Sequence, residues 1–165
     1  MSGAADRDLL ADAARMLGIS VDEPTGNRSA TNVEASVGSP LPASVRRLLD
    51  YPGIIGRIAE TYCATPVFPD EIQIDVDDDD LDGADAPGRL LRLMNENQGV
   101  CVWGVPLDHE GEPPVIVWGD LESAEPSETF SATVAEFVYG FAWDRKALEG
   151  AAGCVQAQAA PVDDA

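Results

Sequence analysis

Two apolar runs separated by turn residues constrain this chain more than any other feature. Val100-Cys101-Val102-Trp103-Gly104-Val105 is apolar at consecutive positions, so both faces of an extended segment would need cover. That pattern belongs to a strand inside a sheet rather than at its margin. Pro114 to Trp118 is a second such run, and Asp108-His109-Glu110-Gly111-Glu112 between them carries turn chemistry. The two runs predict an antiparallel hairpin with a longish loop. Upstream, Asn95-Glu96-Asn97-Gln98-Gly99 is another turn, because Asn and Gly tolerate positive φ and Asn side chains mimic backbone turns. The segment before it, Leu90 to Met94, fits a strand or a helix. Ile72 and Ile74 fit a short strand.

A doubly covered strand needs helices over it, and the chain supplies helical periods on both sides. Leu9, Leu10, Ala13, Ala14 and Leu17 share one side of a helical wheel over Asp6 to Leu17, with Gly18 as a stop. Pro42 suits a helix's first turn, and Val45, Leu48 and Leu49 follow as an apolar stripe. Pro52-Gly53 interrupts it, and Ile54, Ile55, Ile58 and Tyr62 resume the spacing, so two helices or one kinked helix are expected. Pro66 and Pro69 close that part. Leu121 to Glu128 is polar and irregular. Ser131 or Thr133 could cap a last helix bearing Val134, Phe137, Val138 and Phe141. The expected organisation is an amphipathic helix over 1–18, a linker over 19–40 and a compact domain over 41–148. A small-residue tail over 149–165 cannot bury enough to order itself. Helices first, then meandering strands, then a closing helix give an α+β fold: an antiparallel meander sheet packed with helices.

Charge narrows the function. The 165 residues carry 30 Asp and Glu against 10 Lys and Arg, a net charge of −20. Nucleic acid and anionic membrane need the opposite sign, so neither is an expected partner. A basic protein is the natural complement, since opposite fields steer encounter. General solubility or salt adaptation explains the same total, and Lys146 is the single lysine among the cations. Cys63, Cys101 and Cys154 are odd in number, far apart and without a CxxC, which points to a reducing compartment rather than to disulfides or zinc. No signal peptide or membrane-spanning run is visible, so a cytoplasmic location is expected.

The acid is clustered as well as abundant. Asp75 to Asp85 reads as an exposed loop, and Asp78-Asp79-Asp80-Leu81-Asp82-Gly83 matches the first half of a calcium loop. Position twelve of that loop should be a bidentate Glu and is Arg89; position eight, usually apolar, is Asp85. A cation would lose its strongest ligand, so no metal or other cofactor is expected. What remains is a solvated loop or a patch for a basic partner. Candidate contact residues are Asp70, Glu71, Asp75, Asp77, Asp78, Asp79, Asp80, Asp82 and Asp85. Glu96, Asn97 and Gln98 are either further contacts or simply turn formers. Trp103 and Trp118 read as core; Trp143 is the indole expected to reach solvent. His109 is the single histidine, with no nucleophile motif around it, and Cys101 across the hairpin is its one conceivable partner. Catalysis is therefore not expected.

Glu96-Asn97-Gln98-Gly99, then Val102-Trp103-Gly104-Val105, then Pro113-Pro114-Val115 and Trp118 resemble the core of the SMI1/KNR4 (SUKH) superfamily. Leu41-Pro42 through Leu49 is similar to that family's opening helix, and Ala135-Glu136-Phe137 to its closing one. The resemblance covers about Leu41 to Trp143. It departs between Tyr51 and Asp70, which lacks the family's glycine-rich element, and the helix before residue 18 lies outside it. The resemblance implies a SUKH-like fold and binding rather than catalysis. Bacterial members resemble immunity proteins that neutralise toxins, often nucleases, and fungal members are scaffolds. An acidic face that captures a nuclease-type toxin, a scaffold without a toxin, and a small metal-dependent enzyme using the acidic loop are the three expectations that follow.

Overall fold

The computed structural model describes residues 8–20, 30–76, 89–99, 101–119 and 128–158. Four short helices come first: α1 (Leu9–Met16), α2 (Ala30–Val37), α3 (Ala43–Leu48) and α4 (Ile54–Thr61). Six strands follow: β1 (Ala64–Pro66), β2 (Ile74–Val76), β3 (Arg89–Glu96), β4 (Cys101–Pro106), β5 (Val115–Gly119) and β6 (Glu128–Ser131). A last helix, α5 (Val134–Gln158), closes the chain. The fold is α+β, an antiparallel sheet packed with helices.

The sheet runs β1-β3-β4-β5-β6, and β2 also pairs with β3. The short strands β1 and β2 share one edge of β3 end to end: Ala64 lies opposite Glu96, and Val76 opposite Arg89. The β4–β5 hairpin predicted from the apolar runs is present, with Trp103 opposite Val117 and Gly104 opposite Ile116. Leu90 to Met94, open between helix and strand in the sequence, lies on β3. A bulge between Arg92 and Met94 keeps Leu91, Leu93 and Met94 all buried.

One face of the sheet meets the helices. Leu91 pairs with Val105 and Met94 with Trp103, and these residues join Phe137, Val138 and Phe141 of α5 in one core. Pro52-Gly53 splits α3 from α4, and Gly53 takes φ 78°, a conformation in which a Cβ would clash with its own carbonyl. The start of α5 is capped by Thr133, whose Oγ1 accepts the Glu136 N–H at 3.1 Å. On the other face Leu90 lies against Gly104, where a Cβ would come within 2.7 Å of Leu90 Cγ.

Three expectations are corrected. The linker over 19–40 contains α2, whose Val33 and Val37 are buried in the shared core. Two valines at an i, i+4 spacing make too narrow a stripe to stand out among Ser, Thr and Asn, and tertiary burial supplies what propensity does not. The compact domain begins before residue 41: Leu10, Ala13 and Ala14 are buried, and α1, whose docking the sequence leaves open, packs on α5. The tail begins later than 149, because α5 continues to Gln158; extending an existing helix through Ala-rich sequence costs far less than nucleating one. Residues 159–165 lie outside the described part. Strands β1 and β6 were not expected; each has at most four residues, below the length at which alternation shows.

Candidate functional site

The charge pattern of the surface follows from where the arginines go. Arg47 of α3 reaches Asp8, the N-cap of α1, at 2.6 Å. Arg46 of α3 pairs with Glu34 of α2, whose carboxylate also accepts the Leu41 N–H at 3.0 Å. Arg145 of α5 bridges to Glu60 of α4 at 3.2 Å. Arg89 of β3 donates to the carbonyl of Val37, an end group of α2 that has no partner within its own helix. Each of these cations joins two elements. The carboxylates that take them are held below their usual range: Asp8 by the Ala11 N–H and then Arg47, Glu34 by the Leu41 N–H and then Arg46, Glu60 mainly by Arg145. Four of the ten cations are thus committed to joints between elements, in a chain whose acids outnumber its bases three to one.

The described members of the predicted contact set fall in two groups on the β1/β2 side of β3. Asp70 and Glu71 are exposed in the segment between β1 and β2. That segment is fixed to the sheet, since Val67 N and Phe68 N both donate to Leu93 O, at 3.0 and 3.1 Å, and Arg92 N donates to Gln73 O at 3.0 Å. Glu71 is itself anchored, its N–H donating to Val67 O at 2.7 Å while its carboxylate accepts from Gln73 Nε2 at 2.8 Å. Asp75 sits on β2 opposite Leu90, and its side chain is outside the description. Asp77, Asp78, Asp79, Asp80, Asp82 and Asp85 lie outside the described residues, as does the calcium-like loop they would form. Arg89, at that loop's twelfth position, is turned to α2 through Val37 and Ser39.

The second group is the β3–β4 turn. Glu96 ends β3, and Gly99 N donates to Glu96 O at 3.0 Å with Gly99 at φ 75°. The Glu96 carboxylate accepts the Gln98 N–H at 2.7 Å, and Asn97 Oδ1 accepts from Thr65 Oγ1 of β1 at 2.7 Å. Glu96 and Asn97 therefore build the turn and lock it to β1, while the exposed Gln98 uses only its backbone there. Arg89 and Glu96 stand seven strand steps apart, about 23 Å. Asp75, opposite Leu90, and the β3–β4 turn accordingly lie towards opposite ends of that edge, with Asp70 and Glu71 in the segment between β1 and β2.

Two surface features escaped the sequence. Phe130 of β6 is 48% exposed and stacks on Phe141 at 5.5 Å, edge-on to Trp103 at 6.3 Å. Its only signal is a lone aromatic in Glu128-Thr129-Phe130-Ser131. Asp108 accepts the Arg89 N–H at 3.1 Å and so pins the β4 end to β3. Trp143 is 55% exposed, as its position near the end of the apolar stripe suggested, and Trp103 is buried. The side chain of Trp118 lies outside the description.

The conceivable Cys–His pair does not form. Cys101 opens β4 and His109 follows its far end, so the strand's length of about 17 Å separates them. The Cys101 thiol is pushed up by burial and then by Glu96, which keeps it protonated. Among the described residues no three of His, Cys, Asp and Glu gather as metal ligands, and no helix is long and apolar enough to cross a membrane. No family model, no curated protein and no solved structure matches this chain.

Proposed function

We propose that the chain is an immunity-type binding protein that captures a basic toxin of the nuclease kind along the acidic stretch that begins beside β2 and blocks it without chemistry. The observation that carries this reading is the anchored pair Asp70 and Glu71. They are exposed on a segment hydrogen-bonded to β3, at the start of a stretch whose next acids are Asp75 and the run to Asp85. Charges on an anchored segment, as Asp70 and Glu71 are, need little ordering on binding. A nuclease presents Lys and Arg for phosphate, and a row of carboxylates can occupy the same site. Such a patch raises association rate and specificity more than affinity.

The SMI1/KNR4-like reading is supported by where the shared motifs fall. Glu96-Asn97-Gln98-Gly99 is the β3–β4 turn, Trp103-Gly104 lies on β4, and Pro113-Pro114-Val115 leads into β5. Gly104 has a local reason to be glycine, since Leu90 fills the space of its missing Cβ.

The test is a pull-down from source-cell lysate with the tagged chain and with a variant carrying Asn at Asp70, Asp75, Asp77, Asp78, Asp79 and Asp80 and Gln at Glu71. One basic protein is expected to be retained stoichiometrically by the native chain, in moderate as well as low salt, and lost by the variant. Equal retention by both chains, or only a salt-sensitive crowd, would sink the reading and favour a scaffold whose acidity is general.

A further inference from the structure

Against the acidic background one cleft is basic. It opens between the C-terminal end of α1, the outer side of α4 and the middle of α5, with a volume of about 370 Å³. Arg15, Arg57, Arg145 and Lys146 line it, four of the ten cations in the whole chain, together with one carboxylate, Glu149. We propose that this cleft binds a small phosphorylated ligand, its phosphoryl oxygens held by the free donors of Arg15, Arg57 and Lys146 beside the fixed guanidinium of Arg145.

Three observations carry the inference. First, the charge lining the cleft is reversed. Among the described residues the four cations meet Asp12, Glu60 and Glu149, at distances of 2.6 to 3.5 Å, leaving one positive charge in excess where the chain as a whole carries −20. At physiological ionic strength the field of the remaining acids decays over about 8 Å, so the groups lining the cleft decide what enters it.

Second, the donors are not used up. Arg57 has a single ion pair, a loose one to Glu60 at 3.5 Å. Arg15 is 68% exposed and pairs with Asp12 of its own helix through Nη1. Lys146 gives one of its three donors to Glu149. Arg145 is different: it donates to Glu60, Glu149 and the Arg57 carbonyl, and this fixes its guanidinium between α4 and α5. The cleft therefore has one rigid cation and three with free donors around it. A phosphoryl group offers several acceptor oxygens to a guanidinium fork and carries more charge than a single carboxylate.

Third, the cleft has the size of a ligand site. About 370 Å³ lies at the small end of the range for small-molecule pockets, roughly 300–1,000 Å³. The C-terminal end of α1 would oppose an anion through its dipole. Its carbonyls are answered from within, however: Ala13, Ala14 and Arg15 accept from Leu17, Ile19 and Gly18 at 2.9, 2.9 and 3.2 Å.

The test is a titration of the full chain with sodium pyrophosphate at constant ionic strength, followed by backbone amide NMR and by heat. Saturable shifts are expected at residues 15–18, 57 and 145–149. Arg57→Gln should weaken binding about tenfold or more, the loss of one charge-assisted contact. Arg15→Gln serves as the second variant, because its only ion pair is within its own helix and its loss leaves the fold intact. Overturning results are the absence of saturable shifts, equal binding by both variants and the native chain, or the same shifts from sodium chloride at matched ionic strength. The lysate capture above does not involve this cleft, so the two readings stand or fall separately.

Discussion

Replacing Gly104 by alanine should destabilise the protein, and the reason can be isolated to one contact. A Cβ at residue 104 would lie 2.7 Å from Leu90 Cγ and 2.9 Å from both its Cδ atoms. All three distances are below any carbon–carbon contact that packing tolerates, and they involve the whole branched end of the side chain rather than one movable tip. Leu90 is 1% exposed, so it has no open space to swing into. Overpacking of this kind costs about 1–3 kcal/mol. In a domain of this size each kcal/mol lowers Tm by about 2–4 °C. Leu90→Ala alone should cost about 2–5 kcal/mol by leaving a cavity. In the double variant the new methyl enters that cavity, so the combined loss should fall short of the sum by about 1 kcal/mol or more. Urea unfolding of the four proteins, followed by tryptophan fluorescence, reads the cycle directly. A neutral Gly104→Ala, or strict additivity with Leu90→Ala, would refute the packing argument.

Two further outcomes follow from the same structure. Leu10→Ala should lower stability by about 2–5 kcal/mol in urea unfolding, because Leu10 is in the common core; a change under about 0.5 kcal/mol would mean that α1 is an appendage. The Tyr62 hydroxyl donates to Asp144 at 2.6 Å, and burial, then that bond, push its pKa up to about 12. Since the folded value lies above the unfolded one near 10, the contribution is complete below pH 10 and is lost as pH rises towards 12. Thermal melts of the native chain should show this alkaline loss and melts of Tyr62→Phe should not; parallel curves would contradict it.

The candidate site was less legible than the fold. The acids could be counted in the sequence, but their arrangement depends on pairings between distant positions. Arg46, Arg47, Arg89 and Arg145 each reach a partner at least 12 residues away, and nothing local announces this. The basic cleft was equally hidden, since residues 15, 57, 145 and 146 come together only when α1, α4 and α5 pack. Sequence proximity likewise says nothing of the distance of about 23 Å that β3 puts between Arg89 and Glu96.

By itself the sequence determined the elements whose period is strong enough to act locally: the β4–β5 hairpin, the Pro52-Gly53 break, a cap at Ser131 or Thr133 and the apolar face of α5. Each rests on a few neighbouring residues whose backbone and side-chain preferences agree. Only the tertiary structure decided the rest. The three-residue strand β1 forms because β3 offers it an edge. Helix α2 forms because Val33 and Val37 have a core to enter and Arg89 to satisfy its last turn. Such elements are too short to offset their own loss of conformational entropy, and they exist because burial and hydrogen bonds supplied by residues far along the chain do so.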